Sequence, residues 1–224
     1  MSKRISHSLL DPFYSGFVPK LYKAMRIPRY FPPEGIVLIG HLLALTGGVG
    51  FALAGKYAFG GLLVVIGVAG NHIADMVDGT HARATGQCRN GGELLDHFTD
   101  PLSFCYWMIG MSVATDSPYV GIICILCIYA TAVLTNIRAK ITGEFTLAAF
   151  GPTEFKTLLA LFGAFLFINS LLSNLAESAA IIEGFLKILA VIGILQLLVG
   201  LRNAVHQVNR SGAKPDTSEW EQRN

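Results

Sequence analysis

Four aspartates, Asp75, Asp78, Asp96 and Asp100, fall within 26 residues of this 224-residue chain. On a helix Asp75 and Asp78 stand at i and i+3, and Asp96 and Asp100 at i and i+4, so each pair shares one helix face. If the two helices pack side by side, the four carboxylates converge. Four neighbouring anions repel one another, and burying them unpaired is costly. A positive charge must therefore sit among them, and an all-oxygen donor set suits a hard divalent cation such as Mg²⁺ or Mn²⁺. The plain alternative is a set of solvated helix-end carboxylates paired with Arg83 and Arg89.

The elements that must position these residues are apolar. Hydrophobic residues make up 52% of the chain and charged residues only 14%, against about a quarter charged in soluble domains. Apolar runs cover 35–55, 57–77, 93–115, 118–137, 153–173 and 180–205, and each approaches or exceeds the ~20 residues that a spanning helix needs. The expectation is an all-α polytopic membrane protein with six transmembrane helices in one domain, 35–208. A polar, poorly ordered tail is expected at 209–224. Glycines at 47, 48, 50, 60, 61, 67 and 70 allow the first two helices to approach closely. The net charge of +2 gives no sign of a nucleic-acid partner. Cys124 and Cys127 sit mid-run with no second ligand pair, and read as packing residues.

Residues 1–34 interleave Lys3, Arg4, Lys20, Lys23, Arg26 and Arg29 with Phe13, Tyr14, Phe17, Tyr22 and Tyr30. That pattern predicts an amphipathic helix lying on the membrane surface among lipid headgroups. Fifteen of the 17 Lys and Arg residues flank the same ends of the runs, Lys156 at the start of the fifth among them; Lys56 and Lys187 are the others. The positive-inside rule then places both termini and the acidic segment in the cytoplasm, at a bacterial inner membrane or the endoplasmic reticulum.

The acidic segment reads Asp-x2-Asp-Gly-x2-Ala-Arg-x8-Gly-x3-Asp-x3-Asp, with Asp75, Asp78, Gly79, Ala82, Arg83, Gly92, Asp96 and Asp100 at its fixed positions. It resembles the signature of the CDP-alcohol phosphotransferases, and all eight positions match. Gly92-Glu93-Leu94-Leu95-Asp96-His97 and the Thr153-Glu154 pair are further similar to the choline/ethanolamine phosphotransferase branch. Pro33 is followed by Glu34 where many members carry Asn.

The resemblance implies transfer of a substituted phosphate from a CDP-linked donor to a lipid or polar alcohol, with release of CMP, in phospholipid synthesis. It implies that Asp75, Asp78, Asp96 and Asp100 hold two Mg²⁺ or Mn²⁺ ions and that Asp100 acts as general base. CDP is received around Gly79, Ala82, Arg83 and Gly92, where small residues let phosphates approach. A homodimer is implied as well. His97 can take the acceptor proton or merely bond a carboxylate. Glu154 pairs with His97, binds a cationic headgroup, or only caps its helix. CDP-choline or CDP-ethanolamine with diacylglycerol is the favoured substrate pair; CDP-diacylglycerol with glycerol phosphate, serine or inositol phosphate is the alternative. A divalent-cation transporter is the reading from another class, but conduction needs polar sites through the membrane depth, and the later runs place almost no acid there.

Overall fold

In the computed structural model the described residues are 3–148, 150–172, 175–211, 214, 215, 217 and 219. Helix α1 (Asp11–Met25) precedes six longer helices, α2 (Pro33–Ala54), α3 (Phe59–Thr85), α4 (Asn90–Thr115), α5 (Pro118–Thr142), α6 (Pro152–Leu172) and α7 (Leu175–Arg210). Each long helix contains one of the apolar runs. Five of the six, all but α4, are long and apolar enough to cross a bilayer. Helix α4 carries Glu93, Asp96, His97 and Asp100 in its first half, which lowers its apolarity. The protein is an all-α polytopic membrane fold. Most of the tail expected at 209–224 lies outside the described residues.

One small sheet accompanies the helices. Strands β1 (Lys3–Ser6) and β2 (Glu144–Leu147) pair in parallel, with Lys3 opposite Glu144 and Ser6 opposite Leu147. The ribbon ties the N-terminus to the link between α5 and α6, and Arg138 Nη2 donates to the Thr146 carbonyl at 2.5 Å. Beyond it, α1 buries none of its side chains and exposes Phe13, Phe17 and Met25, as a surface-lying helix should.

Helix α2 is the hub, packing along both α3 and α4, while α6 lies on the far side of α3 and α7 joins α5 to the bundle. The core gathers Phe51, Val64, Val68, Trp107, Met108, Met111, Leu159 and Leu166. Trp107 closes it by donating its indole N–H to the Ala44 carbonyl at 3.0 Å. Leucines and isoleucines on α2, α5, α6 and α7 point outward, where lipid is the solvent. Helix α3 runs past the end of its apolar run, so Asp78 through Thr85 add about two further helical turns. Gly86, at φ 75°, ends it by returning its amide to the Ala82 carbonyl, a left-handed cap that favours glycine.

Candidate active site at the acidic ends of α3 and α4

Helical spacing carries Asp75 and Asp78 on α3 and Asp96 and Asp100 on α4, and the structure brings all four together. It does so differently from the side-by-side packing expected of the sequence. Helices α3 and α4 do not pack along each other; α2 lies against both. The two acidic faces look across a gap instead of sealing it. The Asp75 and Asp96 carboxyls lie within hydrogen-bonding reach of one another, and the field of Asp75 and Asp100 reaches Asp78. Asp78 also accepts from the Gly79 amide.

The positive charge that this cluster requires comes from a residue that the sequence reading counted among the charges at the membrane face. Lys156, on the first turns of α6, is fully buried. Its Nζ donates to Asp75 Oδ2 and to Asp100 Oδ1, both at 2.7 Å. Those two carboxylates keep 27% and 26% of their side-chain surface open. A lysine two residues beyond Glu154, in a run otherwise apolar, was the available signal: a buried ammonium needs a carboxylate partner.

The donor set suits a hard cation. It is all oxygen, it comes from two helices that the hub holds apart, and a cation already bridges two of its members. Among the described residues no three ligating side chains are gathered about one ion position, and Lys156 bonds both Asp75 and Asp100.

The remaining candidates separate into three places. Gly79 and Gly92 face open space or movable side chains. A Cβ on Gly79 would come 3.2 Å from Arg83 Nη1, and one on Gly92 3.7 Å from Glu34 Oε1. Arg83 is exposed and reaches Thr80 Oγ1, one turn before it, at 3.5 Å; among the described residues it forms no ion pair with Asp75 or Asp78. Glu34, at the position that departs from the family pattern, pairs with Arg89 at 3.3 Å.

His97 occupies a second place. Its ring meets the edge of Phe145 at 4.7 Å, and its Nε2 lies 4.0 Å from Glu93. With Glu93, Asn136, Lys140 and Phe145 it lines a cavity of about 450 Å³ between the start of α4 and the end of α5.

Glu154 occupies the third, and of its three readings the contacts match the cap: the Gly151 amide at the start of α6 donates to its carboxylate, which the N-terminal segment also holds. Oε1 accepts from Ser8 Oγ at 2.5 Å, Leu9 N at 2.8 Å and Leu10 N at 3.1 Å, and Oε2 accepts from Gly151 N at 2.9 Å. Thr153 and Thr157 extend the seam, bonding Asp11 at 2.8 Å and Tyr14 at 3.1 Å. The chain entering α2 is pinned as firmly. The Phe31 carbonyl can only accept, so His81 Nε2 donates to it at 2.8 Å, which leaves Nδ1 to accept from the Tyr22 hydroxyl at 2.9 Å.

A profile of the CDP-alcohol phosphatidyltransferase family matches residues 34–199, which takes in the whole acidic segment, the gap and Lys156. The chain belongs to that family. No curated protein matches it. It is therefore an enzyme of phospholipid synthesis, embedded in the membrane by several helices, acting on a CDP-alcohol donor and an alcohol acceptor.

Proposed function

We propose that this enzyme transfers phosphocholine or phosphoethanolamine from the CDP-linked base to diacylglycerol, releasing CMP on the cytoplasmic side, with α4 as the sixth span. The observation carrying this reading is His97, of the Asp96-His97 pair, lining a cavity with Glu93 and Phe145 at the start of α4. That cavity joins a carboxylate, Glu93, to an aromatic ring, Phe145, the combination that receives an organic cation.

In this reading the acceptor hydroxyl attacks the phosphorus that bears the base, and the bond from that phosphorus to the CMP oxygen breaks. His97 takes the hydroxyl proton; Asp100, held by Lys156, serves the cation instead of acting as base. Asp75, Asp78, Asp96 and Asp100 would hold divalent cations, which neutralise the diphosphate and the departing phosphate. The room at Gly79 and Gly92 admits the nucleotide, and exposed Arg83 is placed to bond its phosphates.

Asn136 and Lys140 line the same cavity and favour a second reading, CDP-diacylglycerol with an anionic or hydroxylated acceptor. Purified protein in lipid nanodiscs, assayed for CMP against CDP-choline, CDP-ethanolamine and CDP-diacylglycerol with their acceptors, decides. CMP release from the first two with diacylglycerol is expected. Release only from CDP-diacylglycerol would replace this reading with the second, and release from none would end both.

A further inference from the structure

The site contains a cation of its own, and its position bears on how any other cation enters. Lys156 has no water to lean on; burying an ammonium is tolerable only with anionic partners. It finds two, one from each acidic helix, and its stem passes over the Phe104 ring with Nζ 5.8 Å from the centroid. One positive charge among four carboxylates leaves the cluster short of charge, so the site still attracts a divalent ion. Yet Lys156 binds oxygens of Asp75 and Asp100 that such an ion needs.

We propose that Lys156 is an internal counter-ion that competes with the divalent cation for Asp75 and Asp100, weakening metal binding while it stabilises the metal-free protein. His72 gives the displaced ammonium somewhere to go. It lies one turn before Asp75 on α3, is buried, and both its ring nitrogens are without a hydrogen-bond partner among the described residues; it lies within electrostatic range of Lys156. The exchange keeps the four aspartates from repelling each other open between turnovers.

The inference rests on the metal-binding part of the proposed function, and the experiment separates the two. Mn²⁺ alone is titrated into nucleotide-free protein, free Mn²⁺ is read by electron paramagnetic resonance, and thermal unfolding is followed with Mn²⁺ and with chelator. Lys156→Met is expected to bind Mn²⁺ at least about tenfold more tightly, about 1.4 kcal/mol. It should melt lower than wild type in chelator and gain more from added metal. Lys156→Gln keeps a donor without the charge; it should move the same way and serves if the Met variant does not fold. Lys156→Arg keeps the competing charge and should stay near wild type. Unchanged or weaker Mn²⁺ binding in both neutral variants overturns the inference. The metal site itself is tested by Asp96→Asn, since Lys156 bonds Asp75 and Asp100 and not Asp96. If wild type binds no Mn²⁺, or Asp96→Asn leaves its binding unchanged, the metal-binding reading falls and the inference with it.

Discussion

Glycines serve opposite purposes at the two ends of the α2–α3–α4 unit. In the apolar half they let backbones touch. A Cβ on Gly50 would lie 2.6 Å from Val64 N, and one on Gly67 would overlap the Gly47 amide and Cα. Gly110 of α4 presses in the same way on the Gly48 carbonyl. At the acidic end, a Cβ on Gly92 meets only a glutamate side chain at 3.7 Å, and one on Gly91 meets nothing within 4 Å. Packing demands the first set. Among the described residues no backbone atom or packed ring presses on the second. Glycines pressed on backbone thus mark where the helices touch, and open glycines mark the start of α4, which also carries Asp96 and Asp100.

The contrast can be broken most sharply through activity. Asp100→Asn should lower CMP release by on the order of 10³-fold, the scale of a lost electrostatic contributor in a water-poor site. The fold should survive, because Lys156 keeps Asp75 and one anion leaves a crowded cluster. A variant with wild-type turnover would remove the acidic end from the chemistry. One that does not fold would make it part of the packing.

A matched pair of glycine substitutions sharpens the comparison. Gly67→Val forces a branched side chain into backbone and should cost more than about 3 kcal/mol, read as aggregation or a steep fall in Tm in detergent. Gly92→Val should leave Tm nearly unchanged and raise the KM for the CDP-linked donor about tenfold, equivalent to about 1.4 kcal/mol. If Gly92→Val unfolds the protein, or leaves KM alone, the glycines of the two ends do not differ in purpose.

What could be read from the sequence follows this division. The apolar runs, the close glycines and the convergence of four aspartates depend on helical period and run length, both of them local. The partners of Lys156 and Glu154 are not local. Asp75 lies 81 residues from Lys156, and Ser8 lies 146 from Glu154. Counting positive charges treats each as a label of membrane side and cannot show that Lys156 points inward. The cap role of Glu154 was legible from its place at the start of the run, while its partners in the N-terminal segment are largely main-chain amides, which carry no residue signature. The β1–β2 pairing is four residues long on each side, too short to stand out among helices. The gap between α3 and α4 depends on a third helix, α2, which no spacing within the acidic segment encodes.

The smallest expected effect separates the motif-based role of Glu154 from the structural one. Glu154→Gln loses the charge behind its hydrogen bonds to Ser8, Leu9, Leu10 and Gly151, and charge-assisted bonds are roughly twice as strong as neutral ones. An amide can still accept at one oxygen, so the loss should be about 1–2 kcal/mol and local. Hydrogen exchange should quicken across residues 5–25 while the rest of the bundle keeps its protection. Turnover should fall only modestly, and its pH profile should not move, because His97 lies with Glu93 and Phe145 in another part of the site. A shifted pH–rate profile with slow N-terminal exchange would instead pair Glu154 with His97 during catalysis. The seam to α1 would then be a resting arrangement that substrate displaces.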